Sequence, residues 1–315
     1  MKVLFVSSGN SISFPIAPFI KSQGESLIRN GVELEYFTIV GKGFRGYLKN
    51  IRRLKNVVKD TNPDIIHSHY SLSGWISIFA NRKKAVVLSL MGSDVHGGNI
   101  KVFFNFVLIL QVFLIQFFNK VIIIKSENLS SVIWAKKKCS TIPNGVNFDV
   151  FKPINKKLAR DKLQLSSDKN YILFVANPKD SNKNYALLKD ALEFVQTENI
   201  EILTPFPVPH HELPHYYNAC DILVFPSIKE GSPNVIKEAL ACNTRIIATA
   251  SGDILERTKE MNSVTICGYD SRELAKIIDE QIGNKIPVNS REIIRKELDE
   301  DIIAQNLIDI YKGLI

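Results

Sequence analysis

One pattern governs what this chain can become. Short apolar runs of strand length alternate with segments of helical period, and the alternation starts twice. Lys2-Val3-Leu4-Phe5-Val6-Ser7 opens the first half, and Tyr171-Ile172-Leu173-Phe174-Val175-Ala176 opens the second. Each is an apolar strand running into a polar loop and then a helix. Further strand candidates are 33–39, 64–67, 85–90, 121–125 and 139–142, then 200–204, 221–226, 245–249 and 263–266. Helical period lies between them, for example at 21–30, 48–59, 184–197, 233–242 and 271–282. A parallel neighbour is reached only through a long return connection, so this alternation predicts parallel sheets with crossover helices. The expected fold is α/β, with two Rossmann-like, doubly wound domains. A length of 315 residues suits two domains of about 150 each. The Pro143–Pro153 stretch, carrying Asn and Gly, reads as the link. Two open sheets meeting there leave a cleft at the carboxyl ends of their strands, where ligands bind in such folds.

Charge divides along the same line. Residues 1–150 hold 19 Lys+Arg against 8 Asp+Glu, or +11, and residues 151–315 hold 21 against 24, or −3. A basic half beside a mildly acidic one implies two domains with different partners. The four cysteines (Cys139, Cys220, Cys242 and Cys267) lack metal-ligand spacing and imply a reducing compartment without a disulfide framework. The apolar run at the N-terminus turns polar at Ser7, too early for a signal peptide, so a cytoplasmic location is expected. Residues 102–118 are almost wholly apolar, but they number 17 and include Asn105, Gln111 and Gln116. A spanning helix needs about 20 apolar residues, and a strand must follow directly at 121–125. A buried helix is the reading, with a membrane-dipping helix as the alternative.

The most informative stretch runs from Phe225 to Glu238. A strand ends in a loop in which Gly231 permits a tight turn or a close approach to a ligand. Ser232 fits an N-cap and Pro233 the first helical position. A helix start offers N–H groups and a positive dipole end to a phosphate. Glu230 precedes that start and Glu238 follows about two turns in. Carboxylates repel phosphate but accept hydrogen bonds from sugar hydroxyls, so the spacing suits a ligand that is both phosphate and sugar. Taken alone, two such carboxylates would more often serve the helix dipole.

The surrounding residues carry a resemblance. Cys220-Asp221, Pro226-Ser227, Glu230-Gly231-Ser232-Pro233-Asn234 and Lys237-Glu238-Ala239 resemble the signature of the family-4 retaining glycosyltransferases, which have the GT-B fold. Pro143-Asn144-Gly145-Val146-Asn147 with Phe151-Lys152-Pro153 looks like their interdomain link. Asp64-Ile65-Ile66-His67-Ser68-His69 and Gly92-Ser93-Asp94 match the N-terminal half more weakly. The resemblance implies an acceptor-binding domain at 1–150, a nucleotide-sugar-binding domain at 151–295, and a last helix, 296–315, that crosses back to the first. It implies that Glu238 holds the ribose. Glu230, with the backbone of Gly231, Ser232, Pro233, Asn234 and Val235, would hold the donor sugar and its phosphate. Lys183 would pair with the diphosphate, where a fixed cation favours the charge that develops on the leaving group. The family's usual arginine after the 171–176 strand is missing; Lys179 stands nearby but lacks the planar fork. Met91 stands where many members carry a histidine. Gly9, after the first strand, would approach the diphosphate or serve as a turn glycine.

From Lys42 to Lys59 there are seven basic residues and no acidic one, with Leu48, Ile51, Leu54 and Val58 at helical spacing. Lys49, Arg52, Arg53 and Lys55 occupy the other faces. Such a helix is either a solvated face or a contact for anionic lipid, and the basic excess of the presumed acceptor half favours lipid. No recognised nucleic-acid module accompanies the charge. His67-x-His69 and His210-His211 lack a third ligand nearby, and Asp299-Glu300-Asp301 reads as solvated helix charge within 291–312, so no metal is expected. Neither G-x-G-x-x-G after the first strand nor a P-loop is present, which disfavours a dehydrogenase or an NTPase. The expected activity is glycosyl transfer from a UDP- or GDP-linked sugar, a co-substrate rather than a cofactor, to a lipid-linked or polysaccharide acceptor. An epimerase of the same fold or a degenerate partner subunit is the alternative.

Overall fold

The structure, a computed structural model, describes residues 1–10, 14–92, 102–284 and 286–315. The chain divides into two compact units, Met1–Gly145 with Glu300–Ile315, and Val146–Asp299. Both are α/β with wholly parallel sheets, as the alternation predicts.

The first unit holds β1 (Lys2–Ser8), β2 (Glu33–Ile39), β3 (Ile65–His69), β4 (Ala85–Ser89), β5 (Val121–Ile124) and β6 (Cys139–Thr141), ordered β2-β1-β3-β4-β5-β6. Side chains alternate across the pleat, and both faces of the central strands are covered, which is why β1, β4 and β5 read as apolar runs while the edge strands β2 and β6 carry polar residues. Val3, Phe5, Ile65, Val87 and Ile123 pack with residues of α1 (Pro18–Arg29) and of the last helix, α13 (Glu300–Lys312). Leu4, Val6, Ile66 and Val86 face the other way, against α2 (Gly43–Leu48), α3 (Ile51–Thr61) and α4 (Ser71–Ala80). Leu88, Ile122 and Ile124 continue that face under α5 (Val102–Ile115).

The second unit holds β7 (Asn170–Leu173), β8 (Ile200–Leu203), β9 (Ile222–Phe225), β10 (Ile246–Thr249) and β11 (Val264–Cys267), ordered β11-β10-β9-β7-β8. Its helices are α6 (Lys156–Lys162), α7 (Tyr185–Leu192), α8 (Leu213–Ala219), α9 (Asn234–Ala241), α10 (Ile254–Thr258), α11 (Ser271–Gln281) and α12 (Ser290–Leu298).

Three segments differ from the sequence reading. The helix expected at 48–59 is two helices, broken at Asn50. That side chain is buried, donates to the carbonyls of Val40 and Gly46, and accepts from the Val40 N–H at 3.3 Å, so it ties the break to the end of β2. The helix at 102–118 stops at Ile115, and from Ile109 on it is buried on one face only. Val112 and Ile115 are inward, whereas Ile109, Leu110, Phe113 and Leu114 are exposed. The terminal segment breaks at Asp299, and its acidic triplet is not a solvated run. Glu300 is 4% exposed and accepts from Ser22 Oγ at 2.7 Å and Arg29 at 2.5 Å. Burial raises its pKa, against those two hydrogen bonds.

Beyond β5, Lys125 is 2% exposed and its Nζ has no hydrogen-bond partner among the described residues. Burial lowers its pKa from 10.5 to about 7. Between those values the unfolded chain binds more protons than the folded one, so this group's contribution to stability rises with pH across that window. Its penalty is complete below about pH 7. Lys125→Met is therefore expected to stabilise the protein by about 1–3 kcal/mol at pH 7. Thermal melts of both proteins at pH 7 and pH 10 should show that advantage shrinking at the higher pH.

Candidate functional site

The site grows from the end of β9 in the second unit. After Phe225 the chain forms a loop and then α9. The helix begins one residue later than the sequence implies. Pro233, at φ −70° and ψ 123°, stands in the cap position and Asn234 is the first helical residue. Ser232 does not cap it, because its hydroxyl donates to Asp253 Oδ2 at 2.8 Å. Proline loses nothing there, since early helical N–H groups have no intrahelical partner.

Facing this loop is a short turn, residues 181–183, that follows β7. The Asp180 carboxylate accepts the Asn182 N–H, and Asn184 takes the left-handed conformation, which turns the chain into α7. Asn182 stitches the turn to the loop. Its carbonyl accepts from the Ile228 N–H at 2.9 Å, its Nδ2 donates to the Lys229 carbonyl at 2.9 Å, and its Oδ1 accepts from the Lys229 N–H at 3.2 Å. This join brings Lys183 Nζ to 2.6 Å from Glu230 Oε1 and 5.8 Å from the Phe225 ring centroid. The pair is partly open to solvent, so its contribution to stability is small. Its consequence is positional: a cation and a carboxylate held together beside a helix start.

Glu238 is the fifth residue of α9, little more than one turn in rather than two. Its side chain is 8% exposed. Oε1 lies 2.8 Å from His210 Nε2, and Oε2 accepts from the Tyr217 hydroxyl at 2.9 Å. Burial, and then the Glu238 carboxylate, push the Tyr217 hydroxyl well above its usual pKa, so it stays a donor. A carboxylate offers about four lone-pair directions, so capacity remains for further hydroxyl donors.

Sequence reasoning missed the brace behind the loop. Thr249 Oγ1 donates to the Ser227 carbonyl at 2.6 Å, and the Asp253 N–H donates to the Gly231 carbonyl at 3.1 Å. Arg257 holds the Asp253 carboxylate at 2.7 Å. Gly252 has φ +66°, and a Cβ there would stand 2.6 Å from the Gly231 carbonyl oxygen. The only sequence signal is a Gly-Asp pair shortly after an apolar strand. Gly252→Ala is expected to cost about 1–3 kcal/mol through backbone strain and to displace Gly231. Thermal melts together with nucleotide titration would show both effects; an unchanged affinity would separate the brace from the site.

The remaining candidates divide between the two units. Val235 packs on the core of this unit, and Lys179 is exposed between β7 and the 181–183 turn. Gly9 belongs to the first unit, where its N–H donates to the Ile39 carbonyl and a Cβ would stand 2.9 Å from Thr38 Cβ. Lys49, Arg52, Arg53 and Lys55 are exposed in the first unit at and after the break between α2 and α3, with the Arg53 guanidinium 4.7 Å from the Phe37 ring centroid. His69 is fully buried and stacks on His67 at 4.5 Å. Ser93, Asp94 and His96 lie outside the described residues. Among the described residues no three His, Cys, Asp or Glu side chains stand together as a metal site.

Comparison with known proteins bears on this arrangement. Residues 191–284 match the family profile described as Glycosyl transferases group 1, and residues 17–125 match that of Glycosyl transferase 4-like proteins. The chain is 22% identical to D-inositol 3-phosphate glycosyltransferase of Streptosporangium roseum, over 74% of this chain and 64% of that protein. It is 27% identical to the putative teichuronic acid biosynthesis glycosyltransferase TuaC of Bacillus subtilis, over 70% of this chain and 61% of that one. The chain thus spans less than two thirds of the length of either relative. The structure of Anabaena HepE in complex with UDP and glucose superimposes with a TM-score of 0.77 at 18% identity, covering 100% of both chains.

Proposed function

From the premise that the chain belongs to the group 1 glycosyltransferases of GT-B fold, we propose that it is a retaining, metal-independent hexosyltransferase. It takes a sugar from a UDP- or GDP-linked donor to a lipid-linked or polysaccharide acceptor of a bacterial envelope, working on the inner side of the plasma membrane. The observation that carries the reading is the Lys183–Glu230 pair, 2.6 Å apart beside the start of α9, with Glu238 on the same helix.

In this reading the donor phosphate lies at the helix start, against the backbone of Gly231 to Val235. Glu238 accepts from the ribose hydroxyls, and Glu230 orients the sugar. Lys183 divides its charge between Glu230 and the diphosphate, and its attraction to phosphate grows as the leaving group gains negative charge. The bond between the anomeric carbon and the phosphate oxygen breaks while the acceptor oxygen bonds to the same face. The acceptor proton passes to the departing phosphate oxygen, so no side-chain base is required. Lys179 adds a second, exposed cation in place of the arginine.

The test is turnover of a panel of UDP- and GDP-sugars with lipid extracts, the product's anomeric configuration being read by proton NMR. Retention is expected. An inverted product would overturn the mechanism, and conversion of the donor without acceptor would favour the epimerase.

A further inference from the structure

A helix that is apolar all round is normally covered all round. From Ile109 on, α5 is not. Val112 and Ile115 face the sheet, while Ile109, Leu110, Phe113 and Leu114 face outward, continued past the helix end by Phe117 and Phe118; these six are between 41% and 58% exposed. Ring contacts join the stripe to its neighbours. Phe117 and Phe113 lie 4.4 and 5.5 Å from the Trp134 ring, which is itself 42% exposed. The Trp134 indole N–H is already spent on the Phe113 carbonyl at 3.0 Å, so its ring is held in place. On the α4 side, Phe118 packs on Trp75 and Trp75 on Phe79, which is 48% exposed. Contiguous apolar patches of this kind on soluble proteins mark interaction sites.

Charge selects the occupant. Exposed Lys120 follows the stripe, and exposed Lys136, Lys137 and Lys138 follow Trp134. Lys138 Nζ reaches the Asn119 carbonyl at 3.4 Å, which puts this rim at the end of the stripe. No acidic residue occurs between Asp94 and Glu127. The even-numbered residues of β1, β3, β4 and β5 pack on α3, α4 and α5 alike, so the basic helix 51–61 lies over the same face of the sheet. Two copies meeting through this face would bring their lysine rims together.

We propose that the outer face of α5, with Trp134 and the lysines around it, docks the enzyme on an anionic phospholipid bilayer. Aromatic rings enter the interfacial layer while lysines meet the headgroups, and the helix lies along the surface rather than across it. At 14 residues it is about 21 Å long, short of the roughly 30 Å hydrocarbon core. The proposal rests on the lipid-linked acceptor of the preceding reading, and its test is independent of donor chemistry.

The test is flotation of the full chain with vesicles of phosphatidylethanolamine and phosphatidylglycerol, against phosphatidylcholine alone. Wild type should float with the anionic vesicles and less so in high salt. The double variant Phe113→Ser/Phe117→Ser should bind them at least tenfold more weakly with an unchanged thermal melt. Trp134 emission should shift to the blue on binding, and that shift should vanish in Trp134→Phe while Trp75 remains. UDP and GDP titration of the same variants should be unaffected, which separates failure here from failure of the donor reading. Undiminished vesicle binding by the double variant would overturn the proposal. So would equal binding to neutral vesicles, or a dimer of the wild type that the double variant dissolves.

Discussion

Lys183→Ala is expected to lower the rate of sugar transfer by about 10²–10³-fold while leaving the thermal melt almost unchanged. The two effects separate because the ion pair with Glu230 is partly exposed, with side-chain exposures of 26% and 14%. Pairs of that kind add at most about 1 kcal/mol to stability. The expected catalytic effect is larger because, in the proposed mechanism, the cation meets the leaving diphosphate as its charge rises. Removing an interaction made mainly in the transition state lowers kcat and kcat/KM together. Lys183→Arg keeps the charge but not the point geometry, and should recover part of the rate. Steady-state kinetics with a turned-over donor decide it. A rise in KM at constant kcat would assign Lys183 to ground-state binding alone.

The second large effect is on stability. Tyr311→Ala should destabilise the first unit by about 3–5 kcal/mol, because a fully buried aromatic ring is deleted from the core beneath β1 and β3. Tyr311→Phe keeps the ring and removes only the hydroxyl, which lies 2.5 Å from His67 Nδ1. It should cost about 1–3 kcal/mol, since a buried imidazole nitrogen loses its partner while Nε2 keeps Ser89 at 2.8 Å. Two units need not unfold together, so the readout is hydrogen exchange by peptide. Protection should fall within residues 1–145 and hold within 146–299. Uniform loss across the chain would contradict the assignment of α13 to the first unit.

The fold was legible because parallel strands buried on both faces leave a signature of unbroken apolar runs. Among the described residues, the strands at the sheet centres lie on such runs, whereas the edge strands β2 and β6 are more polar. Helix limits were less legible. The break at Asn50 depends on hydrogen bonds to Val40 and Gly46, and the break at Asp299 on the burial of Glu300 against Ser22 and Arg29, 278 and 271 residues away. Hydropathy likewise marked 102–118 as apolar but could not say which face is covered. In the candidate site, the loop and helix around Gly231 follow from local signals. The brace does not, because Gly252 and Asp253 meet Gly231 and Ser232 only after β10 is laid beside β9. His210 looked like half of a loop pair, yet it stands on Glu238, 28 residues on.

The chain enters the first unit, leaves it at Gly145, and returns at Glu300. Order of synthesis and order of completion therefore differ. When Gly145 leaves the ribosome, six strands exist but the face formed by Val3, Phe5 and Ile65 still lacks Ile303, Leu307 and Tyr311. At about 5–20 residues per second, the missing helix arrives roughly 10–30 s later. The second unit, continuous in sequence, has all its residues first. For that interval α1 covers only part of that apolar side, and the strip left for the last helix is a surface that chaperones would shield.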